Sequence, residues 1–451
     1  MKRSSPFQIV LLAVFGALGV AGVLIFALVV GGGNTTNVGQ VTVWGTFDES
    51  RIQAVLRAAA ETDDRLTGVT YVRKDATTYE SDLVNALASG TGPDLFFLRD
   101  DWALYDSAKT IHISPAQMSE TQFRNTFIDA ALPFLASDGA MAVPLVADPL
   151  VMYWNKDIFA SANLATPPLY WNDFATLGPK LTVQKDSGVI TRSAFALGEY
   201  QNIANAKGIL ATLIMQAGGV VSTRDAAGKV QSGLAPQQGG SSQPSLAALR
   251  FYTDFADPSK DHYSWNRALP EARTAFAQGI VAVYIGYASE GILIKQANPN
   301  LNFTMAPVPQ LRDAGTPKNY AHVYALAIPR TAKNPQGGLT VAYIFAAPVV
   351  SQGFASVLGM ASALRGVVAS ASDSLGGAPA GSLQAVLASA PKSAQDLINS
   401  QAAIALSWYD PDPLATADIF RAMIEDTVTG AQKAQDALGR ADKSFNQLLG
   451  I

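Results

Sequence analysis

Two periods alternate along the first part of the chain. Val41-Thr42-Val43-Trp44, Val69-Thr70-Tyr71-Val72 and Leu95-Phe96-Phe97-Leu98 are short β-branched or aromatic runs, and the stretches between them, near 48–62 and 79–89, carry helical spacing. Strand, helix, strand, helix, strand predicts a parallel sheet with helices on its faces. Ligands of such sheets sit beyond the carboxyl ends of the strands, here Trp44-Gly45-Thr46, Arg73-Lys74 and Arg99-Asp100-Asp101-Trp102. Farther on, Ser137-Asp138-Gly139 reads as a turn, followed by an extended crossing and an apolar strand through Trp154 that Asn155-Lys156-Asp157 stops before a helix. After Pro167-Pro168, the run Trp171-Asn172-Asp173-Phe174 predicts a helix start, with Asn172 or Asp173 capping its first turn. From Leu414 to Leu449, apolar Ile419, Met423, Leu438, Ala441, Phe445 and Leu448 recur at helical spacing around a break at Gly430, which predicts two amphipathic helices. The Gly, Ser, Gln and Pro of 233–245 predict a surface loop, and the Ala, Ser and Gly of 369–393 a broken helix or a mobile stretch.

The N-terminus follows neither period. Phe7 through Val30 carries no charge, and as a helix it would reach roughly 36 Å, enough to cross a bilayer. Lys2 and Arg3 precede it and the next charge is Asp48, so the positive-inside bias sends everything after Val30 out of the cytoplasm. An uncleaved anchor is the expectation. A signal peptide is the alternative, although its apolar region is ordinarily shorter and ends in a small-x-small site. Gly31 to Gly39 then reads as a flexible spacer.

Length and composition narrow the function classes. A chain of 451 residues with 49% hydrophobic and 15% charged positions builds two or three packed domains. With 32 basic and 36 acidic side chains, and no basic stripe, a nucleic-acid surface is not expected. The absence of cysteine excludes disulfides, thiolate metal sites and a cysteine nucleophile. The three histidines, His112, His262 and His322, form no zinc motif, and neither a nucleophile elbow nor a phosphate loop occurs. Asp410-Pro411-Asp412 lacks the glycine and terminal glutamate of a calcium loop and reads as a turn. The chain is therefore expected to be no enzyme, with no cofactor and no metal.

Three passages together resemble one family. Gly90-Thr91-Gly92-Pro93-Asp94 before the strand at Leu95, the crossing that ends in Met152-Tyr153-Trp154-Asn155-Lys156-Asp157 with the later Trp171-Asn172-Asp173-Phe174, and Phe276-Ala277-Gln278-Gly279 before the strand at Ile280 occur in the order and spacing of extracellular solute-binding proteins of ABC transporters, the group that includes maltose and multiple-sugar receptors. The resemblance covers the chain after its first forty residues. It departs from the pattern at Ala321-His322-Val323, where a Gly-Gly pair is usual, and at Ala361-Ser362-Ala363-Leu364-Arg365, which lacks the usual Pro-Ala-Arg. With no cysteine to carry a lipid, the N-terminal helix would take over tethering.

The resemblance implies a two-lobed α/β fold of the periplasmic-binding-protein type (type II), here preceded by one transmembrane helix. It implies a cytoplasmic end at 1–6, an anchor at 7–30, a spacer at 31–40, a first lobe from 41–145 and 281–328, and a second from 146–280 and 329–451. It also implies a monomer in the cell membrane whose extracytoplasmic part closes on a small solute, a carbohydrate, and delivers it to ABC permease subunits. Sugar rings present apolar faces edged with hydroxyls, so flat aromatics flanked by polar groups suit them. Where the family places its cleft, this sequence offers Trp44, Arg99, Asp100, Trp102, Asp148, Glu199, Tyr200, Trp265, Tyr287, Trp408 and Tyr409. Trp154 and Trp171 read as packing residues. Arg99 has a bland alternative, pairing with Asp100 or Asp101. Two other classes stay open: an anchored carbohydrate-active enzyme using two carboxylates, and a sensor without transport.

Overall fold

The strand Val143–Asn155, 13 residues buried from end to end, is the spine of the computed structural model, which describes residues 38–225, 228–235, 243–312, 315–373 and 394–451. Its sequence shows no alternation because neighbours cover both faces. Its two halves have different partners. Val143 to Pro149 pairs antiparallel with Asn319–Ala327 on one edge, and Val146 and Ala147 take Ala361–Ser362 on the other. From Leu150 to Trp154 the partner becomes Val281–Tyr287, with Phe303–Ala306 opposite. The handover falls between Pro149, paired with Ala321, and Leu150, paired with Tyr287. Proline has no N–H to give a ladder, so the exchange of partners occurs where the strand is weakest as a donor.

Each half of this 11-stranded sheet builds a lobe. The first continues through Leu95–Arg99, Val41–Gly45 and Val69–Arg73, three parallel strands as the alternating pattern predicts. The helix Glu49–Ala60 covers them with Ile52, Val55, Leu56 and Ala59, and Asp48 caps it by accepting from the Arg51 N–H at 3.1 Å. The second half continues from Val281–Tyr287 to Ile190–Phe195 in parallel and then to Val183–Gln184. Its core holds the helix Ala206–Gln216, buried on nearly every face, and Trp171, whose indole donates to Gln216 at 2.7 Å. Trp154 packs its edge on Phe159, so both packing tryptophans are as expected.

Some boundaries differ from expectation. The strand 281–287, expected in the first lobe, pairs within the second half of the sheet, and the helices Pro335–Phe345 and Pro348–Leu358, expected in the second, pack on strands and a helix of the first. The reason is that the spine changes partner at Pro149, so the segments that flank it sort by edge and not by order along the chain. After Trp171 neither candidate caps the helix Asp173–Leu181: Asn172, at the cap position, makes no capping bond, and Asp173, the first helical residue, accepts from the Tyr170 N–H ahead of the helix at 3.2 Å. The two C-terminal helices are Pro413–Val428 and Ala434–Leu448, with Gly430 between them at φ +72°. They pack with each other and on the helix Pro244–Asp254. Among the described residues no single helix is long and apolar enough to cross a membrane. The anchor expected at 7–30, and most of 369–393, lie outside the described residues.

Candidate functional site

Four segments meet at the waist, beside the partner exchange. The strand Leu95–Arg99 runs into a single turn, Asp100–Trp102, which projects its polar side chains past the carboxyl end of the parallel sheet. Asn319–Ala327 alternates, so Tyr320, His322 and Tyr324 share one face. Its register sets Tyr324 opposite Arg99 and His322 opposite Asp148. Tyr287 ends the strand from the second lobe, and Ser407 follows Ala405–Leu406, which pairs with Asn319 and Tyr320.

Asp100 ties these segments together. Its buried carboxylate accepts from the Val323 N–H at 3.0 Å, from Tyr320 Oη at 3.5 Å and from the Ser407 hydroxyl, and His322 Nδ1 lies 3.0 Å away. Asp101 takes a forked pair from Arg99, Nε at 2.6 Å and Nη2 at 2.7 Å. Burial alone would raise the Asp101 carboxyl, but the Arg99 guanidinium overrides it and holds the group below its ordinary value. The Arg99 side chain keeps 36% of its surface exposed at the rim. His322 lies against the Tyr287 ring, centroids 4.9 Å apart at 34°.

Ligand atoms of Asp100, Asp101 and His322 lie within 4.8 Å of one another, a spacing that a cation would accept. The donors argue otherwise. Both Asp101 oxygens already serve Arg99, and the Asp100 oxygens serve two or more protein donors, so a metal would have to displace a guanidinium. The cluster fits a preorganised hydrogen-bonding face better than an ion site.

A second charged pair lies on the second-lobe side. Lys207 Nζ contacts Asp410 at 2.7 Å and Thr416 Oγ1 at 2.7 Å, and its ammonium sits 5.0 Å from the Trp408 ring centroid. Burial pushes Asp410 up to about 6, against the pull of Lys207. Asp410-Pro411-Asp412 is a turn, and Asp412 caps the following helix through the N–H groups of Leu414 and Ala415. Between the lobes, Arg224 donates to the Leu135 carbonyl and lies over the Tyr409 ring, whose backbone is held on both sides by Ser222.

The sequence candidates separate into groups. Arg99, Asp100, Trp102 and Tyr287 gather at the waist, with Trp102 half-buried and edge-on to Tyr105. Tyr200 and Tyr409 are half-buried on the second lobe. The rest require correction. Trp265 has 0% of its surface exposed and donates to Asn202, and Trp408 is buried between Phe420 and Phe445, so both are core rings. Trp44 is buried with the Lys74 ammonium 3.6 Å from its ring centroid, so that face is taken. Glu199 is closed by Arg267 at 2.9 Å. Asp148 is buried and accepts both the backbone N–H and the hydroxyl of Ser289, at 3.0 and 2.6 Å. Lys207, Tyr320, His322, Tyr324, Ser407 and Asp410 were not among the candidates, and Asp101 was named only as lying past the strand end and as a partner for Arg99. The available signal was the i, i+2, i+4 spacing of Tyr320, His322 and Tyr324 in an otherwise apolar strand, a polar stripe that a fully buried strand has no reason to carry.

Comparison with known proteins agrees with this architecture. The family described as bacterial extracellular solute-binding protein matches residues 49–347. Among solved structures, the fold is similar to a cyclic alpha-maltosyl-1,6-maltose binding protein from Arthrobacter globiformis (TM-score 0.68, 18% identity, 91% of this chain and 98% of that one). It is also similar to UgpB from Mycobacterium tuberculosis in complex with glycerophosphocholine (TM-score 0.68, 17% identity, 91% and 98%). A third likeness is an ABC transporter solute-binding protein from Thermotoga lettingae bound with alpha-D-tagatose (TM-score 0.64, 19% identity, 91% and 100%). A binding protein of Brucella abortus (strain 2308) is 26% identical over 100 residues, a match spanning 22% of this chain and only 24% of that protein. With the family match extending over more than half of the chain, and the spine, the two lobes and the waist all in place, the protein belongs to the bacterial extracellular solute-binding proteins.

Proposed function

We propose that the protein is a membrane-tethered receptor that closes on a sugar or sugar-like solute at the waist and presents it to an ABC permease. The observation that carries this reading is the convergence of Arg99, Tyr287, His322 and Tyr324 at the point where the spine changes partner, with Trp102 on the adjoining turn. A solute held there touches both lobes. Only the difference between its contacts in the open and closed forms shifts the equilibrium. The half-exposed, oriented Arg99 supplies a directional polar group, and the rings of Trp102, Tyr287 and Tyr324 supply flat apolar surface, which is the combination that sugar rings demand. The named ligands of the similar structures, a cyclic maltosyl-maltose, tagatose and glycerophosphocholine, set the first panel to try. Phe7 through Val30 serves as the tether, and the soluble part acts as a monomer.

Thermal unfolding of the protein against mono- and oligosaccharides, polyols and glycerophosphodiesters tests the reading, with any hit assayed for turnover. A ligand that binds only the native state raises the unfolding temperature by mass action and is recovered intact. A hit that is consumed would indicate an enzyme, and a panel with no shift would remove the support for a sugar.

A further inference from the structure

We propose that His322 is a specificity-determining residue of this site, that it reads a ligand hydroxyl through Nε2, and that Asp100 is the positioning residue that fixes its tautomer. The inference rests on the receptor reading above and goes beyond it by naming the atom that discriminates. Two facts place His322. It stands at the register position opposite Asp148, within two residues of the spine's change of partner. Its ring packs against Tyr287 of the second lobe, while its Nδ1 faces Asp100 of the first at 3.0 Å and Tyr320 Oη at 3.2 Å. It is therefore a first-lobe side chain whose two faces sense both lobes.

The chemistry then follows from the donors around Asp100. Its oxygens already accept from the Val323 N–H, Tyr320 and Ser407. A carboxylate so surrounded is an acceptor, so the imidazole must donate from Nδ1. In the neutral ring this leaves the Nε2 lone pair as an acceptor. With 15% of the side chain exposed, the ring is open enough to be touched but too enclosed to turn over freely. An acceptor held rigidly at the waist selects solutes that present a hydroxyl hydrogen there. It discriminates against a deoxy or O-methylated analogue, because a buried site left with an unpaired acceptor loses more than the bond itself.

The chain's three histidines make the test direct. Full-length protein in detergent, labelled with 15N at histidine, gives three sets of ring signals, and H322Q assigns one of them. Without ligand, the His322 signals should report the Nδ1–H tautomer, and D100N should move the population toward Nε2–H. The probes are maltotriose, tagatose and glycerophosphocholine. For whichever binds, the Nε2 signal of His322 should shift while Nδ1 stays in place. H322F, which keeps a ring on Tyr287, should weaken binding about tenfold, the equivalent of roughly 1.4 kcal/mol. H322Q, which retains one donor and one acceptor, should recover part of the loss, whereas a merely structural ring would be served better by phenylalanine. A probe that binds without moving the His322 signals, or that H322F binds as the wild type does, overturns the inference and leaves the receptor reading intact. An Nε2–H tautomer in the free protein overturns it as well, and a panel in which nothing binds overturns both readings together.

Discussion

The two sides of the waist are built from the same kinds of residue and use them differently. On the first-lobe side, buried Asp100 and Asp101 lock Arg99 and His322 by short hydrogen bonds, and those two side chains still reach the surface. On the second-lobe side, Trp265 and Trp408, the aromatics that a sugar site would want, are consumed by the core, and Lys207 is saturated by Asp410 and Thr416. Preorganised polarity thus sits on one lobe and rigid apolar packing on the other. A solute would be oriented by the first and enclosed by the second.

Substitution should expose this asymmetry, most strongly at Trp265. Trp265→Ala removes a fully buried ring and its bond to Asn202, and should cost about 3–5 kcal/mol in urea unfolding. A loss below 1 kcal/mol would make Trp265 a surface ring after all. Next comes Asp148, which burial pushes up to about 7 from 3.8. Between pH 4 and pH 7 the native state keeps a proton that the unfolded chain has released, so stability falls as pH rises across that window and levels off above it. The difference between wild type and Asp148→Asn should change by on the order of 2–4 kcal/mol between pH 4 and pH 8. Urea midpoints at several pH values measure it, and parallel curves would rule out the shift.

Smaller effects should follow from the contact between the lobes. Arg224→Ala removes the bond to the Leu135 carbonyl, and should weaken solute affinity by about two- to fivefold while widening the free protein in small-angle scattering. Equal scattering profiles would show that the contact does not hold the lobes. The smallest stability change is expected at Trp102→Ala, below about 1 kcal/mol because the ring is only half-buried. Its affinity loss should exceed its stability loss, and calorimetry beside urea unfolding separates the two.

These contrasts explain what could be read in advance. The parallel strands of the first lobe were legible because β-branched runs alternate there with amphipathic helices, and the C-terminal pair because Gly430 interrupts a helical period. The lobe boundaries were not, since Pro149 looks like any strand proline until its neighbours on each edge are known. The polar waist was half legible. Arg99, Asp100 and Trp102 follow a predicted strand, whereas His322 and Ser407 reach Asp100 from 222 and 307 residues away, a separation that no local pattern carries. The tryptophans misled for a related reason: an aromatic at a strand end or turn packs inward or outward according to what the fold brings above it, here Phe420 and Phe445 over Trp408.

The uninterrupted spine has a further consequence for how the molecule comes apart. Because one strand is paired within the sheet of each lobe, neither lobe can be separated without leaving a row of unpaired backbone groups on an apolar ribbon, a template for aggregation. The lobes share one contiguous core, so they should melt in a single cooperative transition, and a fragment ending near Pro149 should be insoluble.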